Sequence, residues 1–259
     1  MAISEVLFDV DLAVARVTLN RAEKLNALDL AVLRRLREIT DELQERSDVH
    51  VVVLSGNGST FCAGADLAYI EEIRRDQELV HEFLFALRDA IVGFERLPQP
   101  VVAAVHGLVL AGGLELMMGC DLTVAARSTR LGDQHLNWGF VPGGGSTQRL
   151  TRWVGAARAR DLIFTGRWIT ADEACDFGLI SRVVPDEEVG TAALELAGEL
   201  AKRSPQAMAI SKRLIQRSEE IPLGEGLDRE ITEVAAYYLH PHFEQGLAGF
   251  KARTPPSYS

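Results

Sequence analysis

Short apolar runs that alternate with longer amphipathic stretches are the feature that most limits the fold of this chain. Val14–Leu19 alternates with period two and is rich in β-branched residues, which predicts a strand. Residues 50–54 and Val101–Val105 are continuous apolar runs followed by glycine-containing loops, a pattern typical of buried strands. Helical patterns from Asp29 to about residue 46 and over residues 77–97 separate these runs. This alternation predicts an α/β fold with a largely parallel sheet.

The pattern changes after Pro185, because almost the whole sequence from there to Phe250 has helical character. Three prolines divide this part into segments, and no internal repeat or long linker is found. We therefore expect an α/β core over residues 1–195, which binds and transforms the ligand. Residues 196–259 are expected to form a helical C-terminal region.

Charge, cysteine usage and hydropathy narrow the class of protein. The net charge of −10 argues against a nucleic acid or an anionic membrane as partner. Cys62, Cys120 and Cys175 are odd in number and form no CxxC pair, so we expect reduced thiols without a disulfide or zinc site. No secretory signal is visible, and the most apolar stretch is interrupted by His106, Glu115 and three glycines. We therefore expect a cytoplasmic protein without a membrane span.

Two glycine-containing loops, at residues 61–66 and 111–115, each follow a predicted buried strand. In a parallel sheet such loops meet at the carboxyl ends of the strands, where ligands bind. Gly112 and Gly113 stand at the start of a helix, so their backbone N–H groups are free to bind an anion. An amide of the Gly64–Ala65 turn would complete a pair of donors, which is an oxyanion hole. The alternative interpretation is two ordinary strand-to-helix turns.

Glu115 favours the functional interpretation of these loops. It lies within an apolar run, where a helix is expected to be buried on nearly all sides. Burial of a carboxylate is costly unless the group is paired or neutralised. Because Glu115 follows Gly112 by three residues, both fall on the same helix face, so a general acid or base would lie beside the oxyanion. The alternative is a structural ion pair.

Other glycine and metal motifs fail on residue identity. Gly107 and Gly112 have the glycine spacing of a P-loop, but Gly113 and Leu114 stand where that loop needs lysine and serine or threonine. The glycines that follow residues 50–54 lack the third glycine of a dinucleotide fingerprint, and no HExxH or EF-hand pattern exists. A phosphate-binding NTPase, a Rossmann dehydrogenase and a metal site are therefore not expected.

Six segments, in order along nearly the whole chain, resemble the enoyl-CoA hydratase/isomerase (crotonase) superfamily. They are LNRAEKLNA at residues 19–27, FCAGAD at 61–66, AVHGLVLAGGLE at 104–115, VPGGGSTQRL at 141–150, TGRWITADEA at 165–174 and GLISRV at 178–183. The resemblance implies a spiral of repeated ββα units followed by a helical trimerisation region, with homotrimers that often pair into hexamers. It also implies an acyl-CoA thioester substrate and no prosthetic group.

The resemblance also assigns roles to individual residues. The backbone N–H groups of Ala65 and Gly112 are implied to polarise the thioester carbonyl. Glu115 corresponds to the first of two glutamates that place water and move the proton at the α-carbon in the hydratases. His135 stands where the second glutamate is expected, and Asp133 is the nearby carboxylate that would replace it. A histidine also serves as an acid or base near neutral pH; the alternative is a loop histidine without a chemical role.

Two groups of residues are implied to contact coenzyme A. The first group consists of Arg21, Lys24, Ala63, Asp66 and Leu67. The second group is a C-terminal aromatic and basic stretch that consists of Phe250, Lys251 and Arg253. In family members this stretch sometimes reaches CoA from a neighbouring subunit. For the basic residues the alternative is a solvated surface cation. The loop at residues 143–146 is expected either to approach the acyl group or to be a structural turn.

These observations predict an acyl-CoA-transforming enzyme, with hydratase-like addition of water to a 2-enoyl-CoA as the leading hypothesis. Because His135 replaces a glutamate, two other reactions stay open: isomerisation of an enoyl-CoA and hydrolytic C–C cleavage of a β-keto acyl-CoA. A non-catalytic acyl-CoA binder is a further alternative. It is the least favoured, because a passive binder has no need for a buried Glu115.

Overall fold

The structure, a computed structural model, describes residues 4–218 and 220–258. Within these residues the chain forms nine strands and ten α-helices. The strands are β1 (Val6–Asp11), β2 (Val14–Leu19), β3 (Val51–Gly56), β4 (Val101–Val105), β5 (Leu108–Leu110), β6 (Leu122–Ala126), β7 (Arg130–Gly132), β8 (Ile169–Thr170) and β9 (Arg182–Val184). The helices are α1 (Leu30–Gln44), α2 (Leu67–Ile73), α3 (Gln77–Arg96), α4 (Gly112–Met118), α5 (Ser146–Thr165), α6 (Ala171–Asp176), α7 (Val189–Ala201), α8 (Pro205–Arg217), α9 (Leu223–Tyr237) and α10 (Pro241–Ala252).

The strands form two sheets. The larger has the order β1-β2-β3-β4-β6-β9, in which β1 pairs antiparallel with β2 and all other pairs are parallel. The smaller has the order β5-β7-β8, in which β5 and β7 are parallel. Because β5 follows β4 after only two residues, the smaller sheet begins at the carboxyl end of the larger one. The carboxyl ends of strands from both sheets therefore lie next to each other.

The large sheet is covered on both faces, which explains the continuous apolar runs in its central strands. On β3, Val52 and Leu54 face the main core, whereas Val51 and Val53 face a second cluster that includes Leu196 of α7. The main core also contains the apolar stripes of α1 and α3. The Asp29 side chain caps α1 by accepting a hydrogen bond from the Val32 N–H at 2.9 Å, as the sequence predicts. The α/β fold is confirmed.

Strand and helix boundaries from the sequence are accurate where an element is long. Val14–Leu19 and Val101–Val105 are strands over the predicted residues, and α3 ends at Arg96, immediately before the predicted limit. The sequence analysis missed β1, β5, β7, β8 and β9. Four of these five have three residues or fewer, which is too short for a period-two pattern to be recognised.

The C-terminal region consists of helices, as expected. The expected boundary at residue 195 lies inside α7, which packs on the sheet, so the part of the chain that leaves the sheet begins with α8. Helix α9 presents exposed apolar side chains along one face: Leu223, Leu227, Ile231 and Val234. No helix in the described part of the chain has the length and hydropathy required to cross a membrane.

Candidate active site

The two glycine-containing loops lie side by side at the carboxyl ends of the strands. The Cys62 N–H donates to the Leu108 carbonyl at 3.2 Å, and the Leu110 N–H donates to the Cys62 carbonyl at 3.0 Å, so the loop after β3 pairs with β5. A Cβ atom placed on Gly112 would lie 3.6 Å from the Ala65 nitrogen. The structure therefore brings together the two residues that the sequence predicts as oxyanion donors.

The local backbone leaves both predicted donor groups available. Gly112 is the first residue of α4, so its N–H has no partner within the helix. The Leu28 N–H donates to the Gly64 carbonyl and the Asp66 N–H donates to the Leu28 carbonyl, both at 2.8 Å. The N–H of the intervening Ala65 consequently points away from Leu28. The two segments thus present amide groups from different loops close to each other.

The tight contact between the loops explains two residue choices. Gly64 has a φ of +103°, and a Cβ atom there would lie 3.0 Å from the Ala111 Cβ atom. On Gly113 a Cβ atom would collide with the Cys62 carbonyl. Ala111 itself has a φ of +48°, a strained conformation that is rare outside glycine. Glycine at 64 and 113 is needed for the loops to approach this closely.

Glu115 is completely buried in α4, and only half of its carboxylate has partners. Its Oε1 atom accepts hydrogen bonds from the backbone N–H groups of Gly144 and Ser146, each at 2.9 Å. Its Oε2 atom has no hydrogen-bond partner in the described structure. The recorded partners are amides and not a cation, so the geometry does not match the structural ion pair considered as the alternative.

The buried Asp133 and the partly buried His135 form a second pair close to Glu115. The His135 Nδ1 atom lies 3.0 Å from the Asp133 Oδ1 atom, while Asp133 Oδ2 is buried without a partner. Because β5 and β7 are parallel neighbours, the residues after their ends lie together, and the Ala111 N–H donates to the Gly132 carbonyl at 3.0 Å. The smaller sheet, which the sequence analysis missed, therefore brings this pair to Glu115.

The turn that carries His135 is fixed from the outside by two amides. The Gln134 Nε2 atom donates to the Gly166 carbonyl at 2.6 Å, and the Asn137 Nδ2 atom donates to the same carbonyl at 2.9 Å. Residues His135–Trp138 form a short 3-10 helix between these contacts. With Nδ1 held by Asp133 and the turn held at Gly166, the imidazole has one preferred orientation.

Burial and charge act on the protonation of both groups. Burial raises the pKa of Glu115, although the N–H groups of Ser146 and Gly144 and the charge of His135 act in the opposite direction. Burial of the His135 imidazole disfavours its charge. The hydrogen bond to Asp133 and the negative charges of Asp133 and Glu115 outweigh that effect and raise the pKa of His135. A negative Glu115 and a positive His135 thus stabilise each other.

The residues predicted to bind CoA near the first loop lie together. The Arg21 side chain is 5% exposed and forms ion pairs with Glu5, Asp29 and Asp66. The Lys24 side chain is 52% exposed, and its Nζ atom lies 3.2 Å from Asp66 Oδ2. Burial of the Asp66 carboxylate opposes its charge, but contacts with Lys24, Tyr69 and Arg21 lower its pKa.

These contacts separate the possible tasks of the residues near the first loop. Lys24 retains an exposed cation, whereas the Arg21 guanidinium already ties three carboxylates together. Leu67 is 62% exposed at the start of α2, and Ala63 is partly exposed beside it. A ligand therefore has access to Lys24, Ala63 and Leu67.

The predicted C-terminal contact residues lie far from these loops within the same chain. Phe250 and Arg253 line a groove with Pro100 and Asp121, the residues that precede β4 and β6. This groove is at the amino ends of the strands, whereas Ala65 and Gly112 lie beyond the carboxyl ends. The structure does not bring these residues to the site of their own chain.

The loop at residues 143–146 has a function that the sequence analysis did not identify. The loop is more than a structural turn, because it supplies two N–H groups to Glu115. A Cβ atom on Gly144 would lie 2.5 Å from the Glu115 Oε2 atom. Three consecutive glycines before a helix were the available signal. No group of three or more His, Cys, Asp or Glu side chains within residues 4–218 and 220–258 is arranged to hold a metal ion.

Comparison with known proteins was made after this geometry was defined. A family model described as enoyl-CoA hydratase/isomerase matches residues 9–259. A short-chain-enoyl-CoA hydratase of Clostridium acetobutylicum is 36% identical, over 88% of this chain and 87% of the relative. A mitochondrial methylglutaconyl-CoA hydratase of Mus musculus is 37% identical, over 93% of this chain and 77% of the relative. The crystal structure of an enoyl-CoA hydratase from Bacillus anthracis has a TM-score of 0.94 and 36% identity, and the match covers 98% of both chains.

Proposed function

Because the chain belongs to the enoyl-CoA hydratase/isomerase family, we propose that it is a hydratase-like enzyme that adds water to the double bond of a 2-enoyl-CoA thioester. The hydroxyl group of water adds to the β-carbon, and a proton adds to the α-carbon. The substrate is an acyl-CoA, and the protein needs no prosthetic group for this chemistry. Its own residues must stabilise an enolate and move two protons.

The enolate is stabilised by the backbone N–H groups of Ala65 and Gly112. The support is their position: the two loops are in contact, Gly112 begins α4, and the Ala65 N–H lies between the residues that pair with Leu28. Attack at the β-carbon moves negative charge onto the thioester oxygen, which both amides then bind. In a protease, one oxyanion-hole donor contributes about 2.7–4 kcal/mol to transition-state stabilisation.

Glu115 and His135 move the protons. The Glu115 Oε2 atom, which is buried without a partner, takes a proton from water as the water oxygen bonds to the β-carbon. The His135 imidazolium gives its Nε2 proton to the α-carbon and becomes neutral. Proton transfer from Glu115 to His135 through solvent then restores the starting state. The raised pKa of His135 supports its role as the acid.

Asp133 has a positioning role in this scheme. Its Oδ1 atom accepts the hydrogen bond from His135 Nδ1, which leaves Nε2 for the substrate. Its negative charge also stabilises the imidazolium form. The carboxylate of Asp133 thus acts through the histidine and is not itself the second proton carrier.

CoA is bound by exposed groups near the first loop, with Lys24 for phosphate and with Ala63 and Leu67 along the pantetheine arm. Arg21 and Asp66 hold that loop in place. The stretch of Phe250, Lys251 and Arg253 contacts CoA only in a neighbouring subunit, because within its own chain it lies at the amino ends of the strands. We therefore propose a homotrimer, in which the apolar face of α9 is buried.

The observation that carries the proposed function is the half-satisfied, buried Glu115 on the helix that begins at Gly112, next to Ala65. Its test is Glu115→Gln, which preserves shape and removes the proton acceptor. We expect kcat with crotonyl-CoA to fall about 10³-fold. The Kd for the thioester, measured by calorimetry, should change by less than about threefold. Unchanged turnover would contradict the role of Glu115.

The Asp133–His135 pair also favours a second candidate, hydrolytic C–C cleavage of a β-keto acyl-CoA. An imidazole held by a carboxylate activates water for attack on a carbonyl. Water would then add to the β-carbonyl, the bond between the α- and β-carbons would break, and the enolate would take a proton. The products are a carboxylic acid and a shortened acyl-CoA, so mass spectrometry distinguishes this reaction from hydration.

A further inference from the structure

Arg149 of α5 lies behind the loop that holds Glu115 and makes two contacts there. Its Nη1 atom donates to the Gly144 carbonyl at 2.7 Å, and its Nε atom donates to Glu95 Oε1 of α3 at 2.6 Å. The Arg149 side chain is only 16% exposed. A single guanidinium thus joins α3 to the loop between β7 and α5.

The guanidinium also packs directly on the loop backbone. Gly145 has a φ of +116°, and a Cβ atom there would collide with the Arg149 Nη1 atom. Gly145 is therefore required for its own backbone conformation and for the close approach of Arg149. Without this contact a run of three glycines has many accessible conformations, because glycine restricts the backbone least.

The residues held by Arg149 are the ones that hold the carboxylate. The N–H groups of Gly144 and Ser146 both donate to Glu115 Oε1, and the carbonyl that Arg149 binds belongs to Gly144. We propose that Arg149, itself fixed by Glu95, is a positioning residue that keeps both N–H groups directed at Glu115. This inference rests on the proposed catalytic function of Glu115.

An arginine suits this task because its planar guanidinium binds two separate acceptors in fixed directions. Its positive charge is already paired with Glu95, so its effect on Glu115 comes through geometry. Lysine has one nitrogen at the end of a flexible chain. At position 149 it would lack the fixed donor directions with which the guanidinium binds Glu95 and the Gly144 carbonyl.

Loss of the contact has a defined effect on titration. The N–H groups of Ser146 and Gly144 lower the pKa of Glu115, so weaker hydrogen bonds must raise it further. The other charged groups that act on Glu115 are Asp133 and His135, and the recorded contacts of Arg149 are with Glu95 and Gly144 instead. If ionised Glu115 is the active form, the acidic limb of the kcat profile must move to higher pH.

The experiment measures kcat, KM and the pH profile of Arg149→Met with crotonyl-CoA, beside Arg37→Met as control. Arg37 pairs with Asp41 at 2.8 Å on the exposed side of α1 and touches no loop of the site. We expect Arg149→Met to lower kcat about 30-fold, to change KM less than about threefold and to move the acidic limb upward. Arg37→Met should match the wild type in all three quantities.

A second variant keeps the inference testable if Arg149→Met does not fold. Arg149→Lys retains the charge, and we expect it to lower kcat about fivefold with an acidic limb between those of the wild type and Arg149→Met. An acidic limb at the wild-type pH in every variant that folds, Arg149→Lys included, overturns the inference. The proposed function fails separately, when Glu115→Gln retains turnover whatever the Arg149 variants do.

Discussion

Two carboxylates, the buried Glu115 and the partly buried Asp121, have different surroundings. Glu115 lies within α4, and Asp121 follows the end of that helix by three residues. The Asp121 Oδ2 atom accepts hydrogen bonds from Lys212 Nζ at 2.6 Å and from the Val101 N–H at 2.7 Å. Glu115 has amide partners on one oxygen and none on the other.

The ammonium group of Lys212 is also satisfied, because it donates to the carbonyls of Phe94 and Gln99 as well as to Asp121. This cluster joins α8 to the amino ends of β4 and β6. At the carboxyl ends of the strands, Glu115 and Asp133 each retain a buried oxygen without a partner. The comparison teaches that a carboxylate paired with a buried cation serves stability, whereas a buried carboxylate oxygen without a partner is available for reaction.

Lys212→Met is expected to cause the largest loss of stability, because it removes the cation of the Asp121–Lys212 cluster at the amino ends of the strands. Removal of the cation leaves the partly buried Asp121 without its ionic partner. Because breaking a fully buried pair costs about 3–5 kcal/mol, we expect a loss of about 2–3 kcal/mol of unfolding free energy. Because Lys212 is distant from the loops of the site, kcat at a temperature where the variant is folded should stay within about twofold of the wild type.

Urea unfolding followed by circular dichroism measures this loss, with Lys202→Met as the control. Lys202 is an exposed lysine at the end of the neighbouring helix α7, and its replacement should change stability by less than about 0.5 kcal/mol. Equal unfolding free energies of the two variants would show that the Asp121–Lys212 pair does not stabilise the fold.

The next prediction concerns catalysis by the groups at the carboxyl ends of the strands. His135→Ala removes the proposed acid, and we expect kcat to fall about 10²-fold when it is measured at a temperature where the variant is folded. Added imidazole should restore part of the turnover, because the cavity left by the side chain lies beside Asp133. Retention of the wild-type kcat by His135→Ala would show that hydration proceeds without this histidine.

A smaller effect is expected from Asp133→Asn, which retains an acceptor for His135 and loses the charge. Asp133 raises the pKa of His135, so its neutralisation must lower that pKa, and the imidazolium form is then lost at a lower pH. The alkaline limb of the kcat profile should move to lower pH, with kcat reduced about tenfold.

Asp172→Asn is the matched control for this pH measurement. Asp172 is an exposed carboxylate that pairs with Arg127, so its replacement should leave both limbs unchanged. An alkaline limb that stays in place in Asp133→Asn would assign that limb to another group.

The sequence predicts the elements with strong local patterns. Val101–Val105 is a strand over the predicted residues, and the burial of Glu115 follows from its apolar neighbours. The family that the ordered motifs resemble is confirmed by a match over residues 9–259.

The site contacts that sequence analysis missed are all non-local. The amides of Gly144 and Ser146 reach Glu115 across about thirty residues of chain, through hydrogen bonds that no local pattern encodes. The pairing of β5 with β7 rests on three residues from each strand. Such short strands form because the surrounding core holds them in place, which a local window of sequence does not contain.

The proposed acyl-CoA hydration is tested most directly by product analysis in water enriched in oxygen-18. Crotonyl-CoA and the full-length protein would be incubated in this water, and the CoA thioesters would be analysed by mass spectrometry. The account predicts a 3-hydroxyacyl-CoA that carries one oxygen-18 atom on the β-carbon, with the thioester bond intact. Unreacted crotonyl-CoA, or free CoA with a labelled carboxylate, would contradict it.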